Sequence, residues 1–175
     1  MRKIKKIFGF SIYILIILLL TLIIKAVGFQ RTIVSGDSME STLSDGDSLL
    51  VDKISYRFSD PKRFDIVVFP YSVTEKVYYV KRVIGLPGET VEIREGVLLI
   101  DSHVLPYRYN RDLITDPGLA STEIKLGENE YFVMGDNVNH SEDSRSPDVG
   151  SIKREKIIGR VFLRLSPFDS FGAVK

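Results

Sequence analysis

The 175-residue sequence contains no cysteine and only two histidines, His103 and His140. The absence of cysteine excludes disulfide bonds, thiolate metal sites and a cysteine nucleophile. Neither histidine lies in a metal-binding spacing such as H-E-x-x-H, so we expect no metal site. His140 lies close in sequence to Asp136, Asp143 and several serines, and catalytic triads occur in any chain order. A Ser-His-Asp site therefore stays open at this point.

The sequence also lacks a large excess of charge of either sign. Its 24 basic and 23 acidic residues give a net charge of +1. Four of the basic residues, Arg2, Lys3, Lys5 and Lys6, lie before the first apolar segment, so the remainder of the chain is slightly acidic. This balance argues against nucleic-acid binding.

One long apolar segment, Ile7–Ile24, contains no charged residue. As a helix with a rise of about 1.5 Å per residue, it nearly spans a hydrocarbon core of ~30 Å. It exceeds the apolar region of a cleavable signal peptide, and no A-x-A-like site follows it. We therefore predict an uncleaved transmembrane helix over residues 7–28. The positive-inside rule then predicts that residues 1–6 are cytoplasmic and that residues 29–175 lie outside.

Beyond Arg31 the pattern becomes that of short strands, with β-branched runs bounded by Gly, Pro, Asp and Asn. The predicted fold is one mainly β domain over residues 29–175, with an irregular insertion at 102–130. Gly85–Gly88 predicts a turn, and Glu95-Gly96 predicts a tight hairpin. The predicted strands are Thr32–Ser35, Ser48–Lys53, Ile66–Phe69, Val77–Ile84, Thr90–Arg94, Val97–Asp101, Tyr131–Met134 and Ile157–Leu165.

Lys81 is the first residue with unusual chemistry. In the strand Val77–Ile84 it shares a face with Val77, Tyr79 and Val83, so it is the one charge among apolar neighbours. Burial there would lower the pKa of the amine and let it act as a general base. Most strand lysines are exposed, however, so the pattern alone favours a lysine that reaches solvent.

Ser38 and a later polar loop are the other candidates. Gly36 before Ser38 allows close backbone approach and leaves N–H groups for an oxyanion, although a serine near a glycine usually marks only a turn. The segment Gly135–Arg145 follows an apolar strand and is dense in small polar groups. It reads equally well as an ordinary polar loop and as part of a site.

Together these segments resemble type I signal peptidase, the membrane-bound serine protease that removes signal peptides from exported proteins. The resemblance covers the whole chain and is closest to the short Gram-positive forms. Its motifs, in this order behind one anchor, are Ser38-Met39, Thr42-Leu43, Gly46-Asp47, Tyr79–Glu89 and Gly135-Asp136-Asn137 with Ser141 and Asp143-Ser144-Arg145.

The resemblance implies that Ser38 is the nucleophile, that Lys81 is its general base and that Ser141 orients the lysine. It also implies a supporting ion pair between Asp143 and Arg145. The oxyanion site would use the backbone N–H of Ser38, and because Gly36 carries no hydroxyl, the second donor stays open. The remaining candidate residues are Gly36, Asp37 and Met39 in the nucleophile loop, and Arg82, Asp136 and Asn137 in support.

The resemblance implies a strongly coiled, barrel-like β-structure on the membrane surface and a reaction that needs no cofactor. Two positions depart from the family pattern. Ser41 replaces a proline and Val138 replaces an arginine, which affects turn rigidity near the nucleophile and one charge in the supporting loop.

The resulting hypothesis is a cell-membrane serine endopeptidase that cuts preproteins after small residues at A-x-A-like sites through an acyl-enzyme. Its expected partners are signal peptides and the lipid bilayer, and its expected oligomeric state is a monomer. Two alternatives remain. One is a non-catalytic, membrane-tethered β module that binds extended peptides. The other is a LexA-type Ser-Lys autoprotease, which would need a DNA-binding domain where this chain has its apolar segment.

Overall fold

The computed structural model describes residues 10–19, 21, 28–72, 77–106 and 112–174. Residues 10–19 are helical and their side chains are exposed. Within the described part of the chain, no helix reaches the length and apolarity of a membrane span. The predicted cytoplasmic segment 1–6 lies wholly outside the described residues, and the predicted anchor 7–28 lies partly outside them.

The described residues form twelve strands and four short 3-10 helices. The strands are β1 Phe29–Ile33, β2 Ser48–Asp52, β3 Ile66–Ser72, β4 Val77–Gly85, β5 Thr90–Arg94, β6 Val97–Ile100, β7 His103–Val104, β8 Ile124–Lys125, β9 Glu130–Met134, β10 Ile152–Lys153, β11 Gly159–Ser166 and β12 Gly172–Ala173. The 3-10 helices are Ser55–Arg57, Gly118–Ser121, Arg154–Lys156 and Phe168–Ser170.

The strands form two antiparallel sheets. The larger sheet has the order β1-β2-β11-β3-β4-β9-β10, with β12 added to β11, and the smaller has the order β7-β6-β5-β8. Register shifts interrupt the pairing of β11 with β2, of β3 with β4 and of β4 with β9. Such bulges bend a strand and increase its twist, so we expect the large sheet to curve at these three pairings.

The prediction of a mainly β fold is confirmed, and seven of the eight predicted strands match observed ones to within a few residues. The strand predicted at Thr32–Ser35 is displaced, because β1 begins at Phe29 and ends at Ile33. Gly36, at φ +94°, turns the chain away from the sheet just beyond that point. The four strands that were not predicted, β7, β8, β10 and β12, have two residues each, too few to show a period.

Both predicted turns are confirmed. The N–H of Glu89 donates to the carbonyl of Leu86, and Gly88 between them has φ +80°. Glu95 and Gly96 both have positive φ and join β5 to β6 with Arg94 opposite Val97. The segment 102–130 contains β7, β8 and one 3-10 helix, while residues 107–111 lie outside the described part.

Three apolar clusters cover the faces of the sheets. Alternation along β3 sends Ile66 and Val68 into one cluster, and Val67 and Phe69 into another. The third cluster fills the space between β4, β9 and the smaller sheet. The large sheet is therefore packed on both faces where β3 and β4 run side by side, and this packing surrounds Lys81.

Candidate active site

The loop that carries Ser38 connects the hairpin strands β1 and β2. Two backbone hydrogen bonds close the base of the loop, from the N–H of Val34 to the carbonyl of Asp47 at 2.9 Å and from the N–H of Gly46 to the carbonyl of Val34 at 3.0 Å. Ser38 lies in a turn within this loop. The hairpin thus holds the candidate nucleophile at the end of the large sheet.

Buried side chains hold the loop in place. Met39 and Leu43 are buried in the cluster that also contains Val34, and the N–H of Leu43 donates to the carbonyl of Met39 at 2.8 Å. Met39, one of the candidates in the nucleophile loop, is therefore a core residue that anchors the segment next to Ser38. The N–H of Gly36 donates to the carboxylate of Asp45 at 2.8 Å, so this N–H is already engaged.

The central contact of the site joins Lys81 to Ser38. The side-chain nitrogen of Lys81 lies 2.6 Å from the hydroxyl oxygen of Ser38. Lys81 stands opposite Val67 in the β3–β4 ladder, and its residue surface is only 3% exposed. The expectation that this lysine reaches solvent, which the strand pattern alone favoured, is wrong because packing covers both sides of β4 at this point.

The surroundings of Lys81 change its acidity. Burial, which disfavours the ammonium form, lowers the pKa of Lys81 from 10.5 to about 8. The carboxylates of Asp143 and Glu142 act against this shift, because negative charge favours the ammonium. A lysine with this pKa is partly neutral near pH 8 and can accept a proton from the serine hydroxyl.

The loop after β9 closes over the nucleophile loop from the other side. Asn137 holds it by two bonds, from its N–H to the carbonyl of Ser38 at 3.1 Å and from its side-chain amide to the carbonyl of Asp37 at 3.2 Å. Gly135 lies so close that an added Cβ would stand 2.3 Å from the carbonyl oxygen of Ser38 and from the hydroxyl oxygen of Ser141. Only glycine lets these segments approach each other in this way.

Asp143 and Arg145 form the expected ion pair. Two nitrogens of Arg145 donate to the two carboxylate oxygens of Asp143 at 2.8 and 2.9 Å, and both side chains are nearly inaccessible. Asp143 also accepts the N–H of Gly135 at 3.0 Å. The pair therefore fixes the backbone of the loop that packs against Ser38.

A second ion pair lies between β4 and the same loop. Arg82 donates to both oxygens of Asp136, at 2.8 and 2.7 Å, with both side chains fully buried. Arg82 donates further to the carbonyl of Phe64 at 2.8 Å and to the hydroxyl of Thr42 at 3.3 Å. This arginine ties the loop after β9 to the strand that carries Lys81.

The predicted bond between Ser141 and Lys81 is absent. The hydroxyl oxygen of Ser141 is buried and has no hydrogen-bond partner among the described residues. It packs against Gly135, directly beside the carbonyl of Ser38. Ser141 therefore lies next to the site, and its hydroxyl forms no hydrogen bond with Lys81.

The histidine alternative finds no support in the structure. His103 and His140 are exposed, and the carboxylates of Asp136 and Asp143 are engaged by arginines. The described residues also hold no group of three or more histidine or acidic side chains arranged to bind a metal.

An open groove of about 230 Å³ leads to Ser38 and Lys81. Its two walls come from the end of β1 with the following loop and from the outer half of β4. The lining residues are Thr32, Ile33, Val34, Ser35, Gly36, Asp37, Ser38, Met39, Tyr78, Tyr79, Val80, Lys81 and Glu142. The groove therefore gives access to Ser38 and Lys81 from the surface.

Three contacts of the site were not found by sequence reasoning. They are the bond of Asp45 to Gly36, the bond of Thr42 to Arg82, and a bond between Tyr79 and Glu142. The last two join residues about 40 and 63 positions apart, so no local pattern indicates them. For the bond of Thr42, the one signal in the sequence was that this residue belongs to the Thr42-Leu43 motif of the resemblance.

The chain is similar to proteins of one family over most of its length. The family described as signal peptidase, peptidase S26, matches residues 7–166. The signal peptidase I T of Bacillus subtilis (strain 168) is 36% identical over 169 residues, which cover 93% of this chain and 86% of the relative. The signal peptidase I of Bacillus licheniformis is 37% identical over 163 residues, covering 89% and 87%.

A probable signal peptidase I-2 of Synechocystis is 34% identical over 164 residues, covering 88% of this chain and 73% of the relative. Among solved structures, a signal peptidase I from Enterococcus faecalis V583 is 32% identical with a TM-score of 0.45, covering 58% of this chain and 97% of that chain.

Proposed function

The chain belongs to the signal peptidase family, peptidase S26, and we propose that Ser38 is its nucleophile and Lys81 its general base. Its function is that of a signal peptidase I, a serine endopeptidase that removes signal peptides from preproteins. The observation that carries the proposed dyad is the 2.6 Å contact between the buried amine of Lys81 and the hydroxyl of Ser38.

The reaction proceeds in two halves through an acyl-enzyme. Neutral Lys81 takes the hydroxyl proton of Ser38 while the oxygen attacks the carbonyl carbon of the scissile bond. The ammonium of Lys81 then gives this proton to the leaving amine, and the peptide C–N bond breaks. Lys81, neutral again, takes a proton from water while the water oxygen attacks the ester carbonyl. As the ester C–O bond breaks, Lys81 gives this proton to the oxygen of Ser38, and the acid product leaves.

The negative charge that develops on the carbonyl oxygen is stabilised by backbone donors near the nucleophile. The N–H of Ser38 donates to no acceptor among the described residues, whereas the N–H of Gly36 is bound to Asp45. We therefore assign the N–H of Ser38 as the oxyanion donor. Ser141, buried and unpartnered beside it, is a supporting residue of the same region.

The substrate binds as an extended segment in the groove between β1 and β4. Backbone hydrogen bonds to the walls would fix its register, and the limited depth would admit only small side chains before the cut, as an A-x-A-like site requires. Besides Ser38 and Lys81, the polar side chains that line the groove are Thr32, Ser35, Asp37, Tyr78, Tyr79 and Glu142.

The apolar segment 7–28 anchors the domain in the cell membrane, with residues 1–6 in the cytoplasm and residues 29–175 outside. The uncharged run in the sequence and the four basic residues before it support this arrangement. Protease added to spheroplasts should then digest the domain, while it should spare the domain if the orientation were reversed.

The dyad is tested by cleavage of a preprotein with an A-x-A site by the full chain in detergent. Ser38→Ala and Lys81→Ala should each lower the rate by about 10³-fold or more, because each removes a group that forms or breaks a bond. Ser170→Ala and Lys156→Ala, on the exposed surface, serve as matched controls and should cleave normally. Appreciable cleavage by folded Lys81→Ala protein would exclude the dyad.

The same variants separate the enzyme from a non-catalytic module that binds extended peptides. A binding module would retain its function in Ser38→Ala, since the side chain makes only a small part of the groove. The enzyme should still bind the preprotein in Ser38→Ala but release no product.

A further inference from the structure

Tyr79 and Glu142 are joined by a hydrogen bond across the end of the groove. The hydroxyl of Tyr79 donates to a carboxylate oxygen of Glu142 at 2.6 Å. The two residues are 63 positions apart and come from different parts of the site, β4 and the loop after β9. The acceptor is a carboxylate, so the bond is charge-assisted, and it is exposed to solvent.

The ring of Tyr79 is held on its other sides as well. It stacks on Tyr71 with centroids 4.5 Å apart and an angle of 6° between the planes. Phe69, directly opposite in the β3–β4 ladder, meets it edge-on at 6.1 Å. The ring of Tyr79 is therefore held by contacts with two rings and with the carboxylate of Glu142.

The fixed ring is the surface against which Lys81 lies. The side-chain nitrogen of Lys81 is 5.1 Å from the ring centroid of Tyr79, two residues along the same face of the strand. Apart from this ring, the one hydrogen bond of the nitrogen within the described residues goes to Ser38. The hydroxyl of Ser141 has no hydrogen-bond partner among the described residues, so the ring of Tyr79 and the hydroxyl of Ser38 are the two contacts that bear on the position of the amine.

The charged groups that act on Lys81 all come from the loop after β9. Asp143, Glu142 and Asp136 favour its ammonium form, and Arg145 disfavours it. Asp143 and Asp136 are already paired with arginines, whereas the partner of Glu142 is the neutral hydroxyl of Tyr79. Burial, and next the bond to Glu142, raises the pKa of Tyr79, so the phenol stays neutral near pH 8.

We propose that Glu142 is a positioning residue for Lys81. By holding the hydroxyl of Tyr79, its carboxylate fixes the ring that directs the amine toward Ser38, and it ties β4 to the loop after β9 at the groove. This inference rests on the proposed Ser38–Lys81 dyad. The proposed role depends on the hydrogen bond between the tyrosine at position 79 and the acid at position 142.

Three variants separate the hydrogen bond from the charge. Tyr79→Phe keeps the ring and the carboxylate but removes the bond, and should lower kcat by about tenfold with little change in the midpoint of the pH–rate profile. Glu142→Gln keeps an acceptor and removes the charge. It should retain kcat within about threefold, and its midpoint should move to lower pH, because the lost charge no longer favours the ammonium. Glu142→Ala should show both effects.

The double variant Tyr79→Phe/Glu142→Ala tests whether the two residues act through one bond. Its kcat should equal that of the slower single variant, since the second change removes a contact that is already lost. Glu40→Gln, an exposed acid in the nucleophile hairpin, is the matched control for loss of one negative charge and should leave both kcat and the midpoint unchanged.

Two results would overturn the inference. If Glu142→Ala and Tyr79→Phe cleave at the unaltered rate, or if the losses multiply in the double variant, the bond does not position Lys81. If KM rises while kcat is unchanged, Glu142 contacts the substrate instead. Ser38→Ala and Lys81→Ala in the same assay distinguish the dyad from the role of Glu142. Activity of these two variants would refute the dyad itself. If they are inactive while Glu142→Ala is unaffected, only the role of Glu142 is refuted.

Discussion

Lys81 and Arg82 are neighbours on β4 but lie in opposite electrostatic settings. Arg82 is fully buried and bound through two nitrogens to Asp136. Lys81 is buried to nearly the same degree and forms no ion pair with any described residue. The strand thus carries one cation whose charge is stabilised and one whose charge is not, and only the second can serve as a base near neutral pH.

The first prediction concerns the pH dependence of cleavage. Because burial lowers the pKa of Lys81 to about 8, and because the neutral amine is the active form, kcat/KM should rise about tenfold per pH unit below pH 8 and level off above it. The measurement is a pH–rate profile on a synthetic preprotein segment, with far-UV circular dichroism to show that the protein stays folded. A rate that is the same at pH 6 and pH 9 would speak against Lys81 as the base.

The second prediction links the same group to stability. The folded state lowers the pKa of Lys81 from 10.5 to about 8, so the folded protein holds this proton less tightly than the unfolded chain. Its destabilising effect is therefore fully present below pH 8 and is lost as the pH rises toward 10.5. In Lys81→Met the effect is absent at every pH. Between pH 7 and pH 10 the free energy of unfolding of the unaltered protein should gain about 2 kcal/mol relative to Lys81→Met.

Urea unfolding of both proteins at a series of pH values measures this difference. The comparison cancels the titration of all other groups, which the two proteins share. A difference that does not change with pH would mean that the lysine has an ordinary pKa in the folded state.

The β architecture was accessible from the sequence because its strands are short runs of β-branched and aromatic residues bounded by turn residues. Ile66–Phe69 is an uninterrupted apolar run, Val77–Ile84 is rich in valine and tyrosine, and Gly88 and Gly96 mark turns that need positive φ. The burial of Lys81 was not accessible in this way. The burial of Lys81 depends on side chains that are distant in sequence, such as Val67 and Phe69 on β3, and on the loop after β9.

The residues of the site could be identified from the sequence only because several motifs occur in the order that the resemblance requires. Ser38 contacts Lys81, and Asp143 pairs with Arg145, whereas the hydroxyl of Ser141 has no hydrogen-bond partner among the described residues. The departure at Val138 also has a plain explanation in the fold. Val138 is buried in an apolar cluster with Phe132 and Met134, where a charged side chain has no place.

The third prediction concerns the pair between Arg82 and Asp136. Arg82→Met removes one partner and leaves a fully buried carboxylate without its charge partner. The free energy of unfolding should fall by about 3–5 kcal/mol. Arg94→Met is the matched control, since Arg94 pairs with Glu92 on the surface with 61% of its side chain exposed, and it should cost under about 1 kcal/mol. Equal losses in the two variants, measured by urea unfolding, would show that the buried pair has no special weight.

The last prediction concerns the close approach at Gly135. Its φ is one that alanine can adopt, but the added methyl group would stand 2.3 Å from the backbone oxygen of Ser38 and from the hydroxyl of Ser141. The nucleophile loop must therefore move away from the loop after β9. Because a displacement of about 1 Å at a reacting group can cost about 100-fold in rate, Gly135→Ala should lower kcat by about that factor.

The overpacking should also cost about 1–3 kcal/mol of stability, so a folded but slow enzyme is the expected outcome. Gly127→Ala is the matched control, because a methyl group there meets only the flexible side chain of Glu130 at 3.4 Å. The two variants are compared by kcat on the preprotein and by thermal unfolding. If Gly135→Ala cleaves at the rate of Gly127→Ala, the contact between the two loops does not hold Ser38 in its reactive position.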